Sequence, residues 1–278
     1  MKKKQDLRKR KKISIFIICV SMLIILYSLI NIFIWLWDNY KIRQEINQIG
    51  NDNIITKPSD IEMLDSEKRI EEGQLLYSDP YWKIINSNYL QVDFTNLKEN
   101  NSEVVAWINV AGTEVNYPVV QHSDNEYYLN HSLNRSQNGA GWVFLDYRNQ
   151  MEKLDQNTII YAHARKNGIM FGSLKNVLSS AWYENENNYV IKMSNEFEDQ
   201  LWQIFSVYRI PTTTDYLQNN FLSDESTLEF LNKIKERSIF DFHTTITVNN
   251  KVLTLSTCHN SNERIVVHAK LIRSKKRI

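Results

Sequence analysis

Lys251-Val252-Leu253-Thr254-Leu255-Ser256-Thr257-Cys258, followed after His259-Asn260-Ser261-Asn262-Glu263 by Arg264-Ile265-Val266-Val267-His268-Ala269-Lys270-Leu271-Ile272, is the stretch that decides the fold. Its first run alternates, so Val252, Thr254, Ser256 and Cys258 share one face of a strand. The five residues from His259 to Glu263 suit a hairpin loop, and the run from Arg264 reads as the returning strand. A lone hairpin is marginal in water and needs further strands. Runs of the same kind cover 104–110, 115–121, 141–147, 158–163, 189–193, 201–209 and 244–248. Short strands separated by turn residues predict a closed or nearly closed β-barrel. One helix interrupts them at 223–237, with Leu228, Leu231 and Ile234 on one face.

Upstream the chain changes character. Residues 13–37 hold no charge. At ~1.5 Å per residue this stretch spans about 37 Å as a helix, enough for a ~30 Å hydrocarbon core. It ends in Trp35-Leu36-Trp37-Asp38, an aromatic belt and not the small-residue exit of a cleaved signal peptide. Residues 1–12 carry eight Lys/Arg against one Asp. By the positive-inside rule they stay in the cytoplasm and everything after Trp37 lies outside. The expected organisation is a basic segment 1–12, a transmembrane anchor 13–37, a juxtamembrane linker with N-terminal helices 38–88, and a globular domain 89–278. Within the linker, 38–50 extends the anchor helix and 51–58 is a polar break. Ser59 with Glu62 forms a capping box for a helix reaching Tyr77, and Ser78-Asp79-Pro80 opens a second over 81–88.

The composition, 42% hydrophobic and 23% charged, is globular. Of a net +1, residues 1–12 supply +7, so 38–278 carries −6, which argues against nucleic-acid binding outside the N-terminus. Two cysteines exclude a disulfide-stapled fold and a four-cysteine zinc site. Cys19 falls within the span, which leaves Cys258 as the only external thiol.

Chemistry is sought where strands end. Cys258 closes one strand and Arg264 opens the next; as an opposed pair their Cβ atoms lie ~5 Å apart on one face. A guanidinium beside a thiol favours thiolate and offers donors to an oxyanion. His163 ends the run Thr158-Ile159-Ile160-Tyr161-Ala162-His163. A Cys nucleophile needs a proton acceptor that later serves the leaving amine, and His does both near neutral pH. Taken singly, each residue has a plainer reading. The Cys is a small buried hydrophobe, the Arg a surface cation, the His a satisfied strand-end residue. His259 is a rival base, weakened because adjacent strand residues face opposite ways.

At these residues the sequence resembles the sortases, specifically class B. The likeness is carried by Thr254-Leu255-Ser256-Thr257-Cys258 with Arg264-Ile265-Val266-Val267, and by Val105-Ala106-Trp107-Ile108 and Tyr117-Pro118-Val119-Val120-Gln121. It continues through Asp124-Asn125-Glu126-Tyr127-Tyr128-Leu129-Asn130, Phe144-Leu145-Asp146-Tyr147-Arg148 and Ile160-Tyr161-Ala162-His163, covering about residues 90–272. Ala162 and Ala164 stand where the family pattern has Gly and Asn, and the Cys–Arg loop is short for the class. The resemblance implies a mainly β fold: an eight-stranded sortase β-barrel with N-terminal helices and a helix before the seventh strand, which 223–237 would supply.

The resemblance also implies a cysteine transpeptidase with Cys258 as nucleophile, His163 as general acid/base and Arg264 as transition-state stabiliser. Asn125, Leu129, Thr212, Tyr216, Leu217 and Ser256 would line a sorting-signal groove, with no metal or cofactor. The implied substrates are secreted proteins bearing a C-terminal sorting pentapeptide, cut at a Thr carbonyl. The implied acceptor is an amine of a peptidoglycan precursor or cross-bridge in a Gram-positive envelope. The enzyme would be single-pass in the cell membrane, meeting lipid through residues 13–37. Two other readings stay open: a pilus-assembling sortase with a Lys acceptor, and a catalytically silent membrane-tethered binding module.

Overall fold

Eight strands close into a barrel in the order β1-β2-β3-β4-β7-β8-β6-β5. They are β1 (Val104–Val110), β2 (Asn116–Val120), β3 (Phe144–Leu145), β4 (Asn157–His163), β5 (Val190–Asn195), β6 (Glu198–Pro211), β7 (Val252–Cys258) and β8 (Glu263–Lys276). The helices are α1 (Lys2–Asn53), α2 (Tyr81–Ile84), α3 (Thr95–Asn100), α4 (Ser180–Tyr183) and α5 (Asp224–Glu236). The computed structural model describes residues 2–54, 80–85, 87–258 and 263–277.

Neighbouring strands run antiparallel except β2 with β3 and β4 with β7. The second exception matters most, because a parallel pair ends both strands at the same rim. β4 is buried along its length until half-exposed His163, as its unbroken apolar run requires. The long pair of β6 and β8 curves through register shifts at Leu201/Trp202 and Ile204/Ser206. Trp107, Trp142 and Trp202 fill the core, and their indole N–H groups reach Asn116 Oδ1, Pro118 O and Gln200 Oε1 at 2.8–2.9 Å.

α5 begins at Ser223, whose hydroxyl accepts from Ser226 N while the Ser226 hydroxyl accepts from Ser223 N. Asp224 and Glu225 in its first turn and Lys233 and Lys235 in its last complement the helix dipole. The buried stripe is Thr227, Phe230, Leu231 and Ile234, packed on Phe205, Tyr208, Tyr216, Val252 and Val266. Leu228, expected on that face, is exposed instead, because the stripe is centred one position further round.

The run 244–248 is not a strand. Its carbonyls are taken by side chains: Lys235 Nζ donates to Thr244 O, Lys270 Nζ to Thr245 O, and Gln156 Nε2 to Val248 O. Within 141–147 only Phe144–Leu145 pairs as strand. The expected helix 81–88 stops at Ile84, with Pro80 as its N-cap. Glu263 belongs to β8, so four residues and not five separate β7 from β8.

The chain divides into two compact units, Met1–Glu45 and Ile46–Ile278. α1 is continuous and overruns the expected polar break by three residues, to Asn53. Within it Lys12–Gly50 has the length and hydropathy to cross a membrane. Its Phe16, Leu23, Tyr27 and Phe33 are all exposed, the pattern of a helix apolar on every side. The capping box at Ser59 and the helix expected to reach Tyr77 lie outside the described residues.

Candidate active site

One row of residues crosses the rim where β4 and β7 end together. The β4–β7 ladder pairs His163 with Cys258. The β7–β8 ladder pairs Ser256 with Val266, beyond which Ile265 N donates to the Thr257 hydroxyl at 2.9 Å, and Arg264 stands one residue inside the start of β8. The β8–β6 ladder then pairs Arg264 with Ile210. Adjacent strands lie ~4.8 Å apart, so the paired backbones of His163 and Cys258 are about 5 Å from one another. His259, the rival base, lies outside the described residues.

The His163 ring is half-buried, and its Nε2 lies 2.9 Å from the Leu129 carbonyl oxygen. A carbonyl only accepts, so Nε2 carries a proton. The His163 carbonyl accepts from Phe171 N at 3.0 Å, which fixes the chain where it leaves β4. Arg264 is half-exposed and donates from Nη1 to Glu263 O at 3.2 Å.

The six residues expected to line the groove fall into two sets. Asn125 and Leu129 lie on the segment between β2 and β3. Asn125 Nδ2 donates to Asp146 Oδ2, its Oδ1 accepts from Tyr147 N, and Leu129 supplies the carbonyl that holds His163. Thr212, Tyr216, Leu217 and Ser256 gather around β6 and β7. Thr212 is exposed one residue past β6, and half-buried Leu217 packs on the α5 cluster. Tyr216 and Ser256 are closed from solvent and bonded to one another, hydroxyl to hydroxyl, at 2.9 Å. Arg148 ties the two sets together, donating to Asp146 Oδ2 at 2.8 Å and to Leu217 O at 2.9 Å.

Residues 108–272 match the family described as Sortase domain. The chain belongs to the sortase family. It is 32% identical over 211 residues to Sortase B of Staphylococcus aureus, covering 74% of this chain and 83% of that protein. Over 188 residues it is also 32% identical to Sortase B of Listeria monocytogenes, covering 65% and 74%. Among solved structures, sortase B from Bacillus anthracis superposes with a TM-score of 0.68 at 30% identity, covering 86% of this chain and 99% of that one. The Staphylococcus aureus sortase B–substrate complex gives 0.63 at 31%, covering 76% and 99%. This sortase is therefore of class B, a cysteine transpeptidase on an eight-stranded barrel.

Two features of the sortase domain escaped the sequence reading. The first is Asp146, fully buried, which accepts from Arg148 N, Nε and Nη2, Asn125 Nδ2 and Tyr161 OH. Burial pushes its carboxyl up, but the Arg148 and Tyr161 bonds outweigh that and hold it below the ordinary carboxylate range. Its sequence signal was an Asp two residues before an Arg at a strand end.

The second is His268, fully buried on β8 between Tyr208 OH at 2.8 Å and Thr254 Oγ1 at 2.9 Å. The Thr254 hydroxyl donates to Asn157 Oδ1 at 2.6 Å, so it accepts from His268 Nδ1–H, and Nε2 accepts from Tyr208. Burial, helped by the charge of Arg237, pushes this imidazole down to about 3. The unfolded chain protonates His268 near its ordinary value of about 6.5, whereas the fold keeps it neutral. Its contribution to stability is thus complete above that pH and declines as pH falls toward 3, by about 1.4 kcal/mol per unit. Urea midpoints should drop between pH 6.5 and 5 in this sortase, and His268→Gln should flatten that slope. An unchanged slope in the variant would show that another group drives it.

Proposed function

We propose that this sortase cuts a C-terminal sorting signal of secreted proteins at a Thr carbonyl and passes the acyl group to a cell-wall amine. The observation that carries the reading is the pairing of His163 with Cys258 at the ends of β4 and β7, with Arg264 at the start of the adjoining β8. In the first half-reaction His163 takes the proton of the Cys258 thiol, and the thiolate attacks the Thr carbonyl carbon as a C–S bond forms. Negative charge collects on the carbonyl oxygen, toward which Arg264 directs its donors. As the C–N bond breaks, the leaving amine takes its proton from His163, and a thioacyl enzyme remains. In the second half-reaction His163 takes a proton from the incoming amine. That amine attacks the thioester, an amide forms and the Cys258 thiolate is released.

Support for the partner classes comes from relatives: similar solved structures include a sortase B–substrate complex and a sortase B complexed with triglycine. The proposed organisation follows from the sequence, with residues 1–12 cytoplasmic, 13–37 in the membrane, 38–88 a linker and 89–278 the catalytic domain at the outer face of a Gram-positive cell. Asn125, Leu129, Thr212, Tyr216, Leu217 and Ser256 are proposed to bind the signal; the closed Tyr216–Ser256 pair opens as it enters.

The test is a peptide library carrying Thr at varied positions, offered to the enzyme without an acceptor amine. Mass spectrometry should find an acyl adduct on Cys258 that ends at Thr. No adduct from any peptide, with Cys258 still open to alkylation, would sink the reading.

A further inference from the structure

The turn from Tyr127 to Asn130 sends its carbonyls four ways, and each meets a different donor. Tyr127 O accepts from His131 Nδ1 at 2.7 Å and Tyr128 O from Trp142 N at 2.8 Å. Leu129 O accepts from His163 Nε2 at 2.9 Å and Asn130 O from Asn138 N at 2.7 Å. Three of the four donors come from the segment that doubles back on the turn, and the fourth is the candidate base.

The turn that carries this carbonyl is gripped from several sides. Tyr128 is buried; its hydroxyl donates to Glu103 Oε2 at 2.6 Å and accepts from Asn101 Nδ2 at 2.8 Å. The Tyr127 ring is stacked between the imidazoles of His122, 4.3 Å away, and His131, 4.0 Å away and within 2° of parallel. Gly141 closes against the turn with φ +62°, a conformation costly for other residues. A Cβ there would sit 2.5 Å from Tyr128 O and 2.7 Å from Leu129 O. Both are main-chain atoms, which cannot swing aside as a side chain would.

We infer that the Leu129 carbonyl orients the base for acyl transfer, and that Gly141 is the positioning residue that lets it do so. The inference rests on the proposed role of His163. With the proton held on Nε2, Nδ1 is the nitrogen that takes a proton from the thiol or the incoming amine and returns one to the leaving amine. A main-chain oxygen here does the work that a carboxylate does in Ser-His-Asp enzymes: it fixes the tautomer and aims the ring. No acidic third member is then required. A ring set loose offers its lone pair along the wrong line, and a displacement of ~1 Å costs about 10²-fold.

The experiment reads the bond and the rate separately on the full chain in detergent. With ¹⁵N-labelled histidine, long-range proton–nitrogen correlations report the His163 tautomer, assigned by the signal missing from His163→Ala. The unaltered chain should show one tautomer, protonated at Nε2. Gly141→Ala should show a mixture, with kcat per alkylatable Cys258 down by about 10²-fold and KM for the peptide unchanged. A purely structural role would lower the number of active sites and leave kcat per site intact. If Gly141→Ala does not fold, exchanging Asn130 for its α-hydroxy acid keeps every side chain and turns Leu129 O into a weaker, ester acceptor. It should give the same mixed tautomer and reduced kcat. A proton on Nδ1 in the unaltered chain, or full kcat in a folded variant with mixed tautomers, overturns the positioning role alone. Turnover retained in His163→Ala overturns the base assignment and the positioning role with it.

Discussion

His163→Ala is expected to lower the rate of thioacyl formation by about 10²–10⁴-fold, the range that general acid–base catalysis supplies. The chain has six histidines, and the other described ones are occupied elsewhere. His122 bonds Glu103 through Nδ1, and His131 bonds the Tyr127 carbonyl. His243 is exposed beside Asp241, and His268 is sealed as a neutral ring among Phe205, Tyr208 and Tyr216. His163 alone among them shares a ladder row with Cys258. His259→Ala should leave turnover measurable, since a residue next to Cys258 in sequence starts on the opposite side of the strand. Rates of adduct growth by mass spectrometry check both variants, and equal losses in the two would undo the assignment.

Arg264→Lys is the second large effect, about 10²–10³ in kcat, or ~3 kcal/mol of transition-state stabilisation. The substitution keeps one positive charge, so the comparison separates charge from geometry. If the side chain only favoured thiolate, Lys would suffice. A guanidinium aimed from the first turn of a strand presents a planar fork of donors, which a compact ammonium on a flexible stem cannot reproduce. Arg264 is held for such aim by its pairing with Ile210 of β6, at the start of the strand that adjoins β7. The measurements are kcat for peptide cleavage and the pH dependence of Cys258 alkylation. Near-normal kcat with Lys would reduce Arg264 to a general electrostatic neighbour.

Alternation alone located β1, β2, β4, β7 and β8 to within a few residues, because each buries a continuous or every-second apolar set that no helix could place. It failed where polar side chains outcompeted a ladder. The run 244–248 has the composition of a strand, yet Lys235, Lys270 and Gln156 reach its carbonyls from distant parts of the chain. No local pattern records that. The run 141–147 starts at a glycine with positive φ, and its Asp146 is drawn into the bonds of Arg148 and Tyr161. That His163, Cys258 and Arg264 stand at strand ends was legible, because each closes or opens an apolar run. The Leu129 carbonyl was not, because a main-chain atom has no letter of its own.

The parallel pairing of β4 with β7 also decides which changes of length this enzyme tolerates. An extra residue between Cys258 and Glu263 falls outside both strands and leaves the ladders in step. An extra residue inside Val252–Cys258 turns every later side chain to the other face and breaks the match with β4 and β8 at once. The stretch from Thr212 to Ser223, between β6 and α5, is free of that constraint. Descendants of this chain can therefore retune what they grip by lengthening connections, while the strands that carry the chemistry must keep their count.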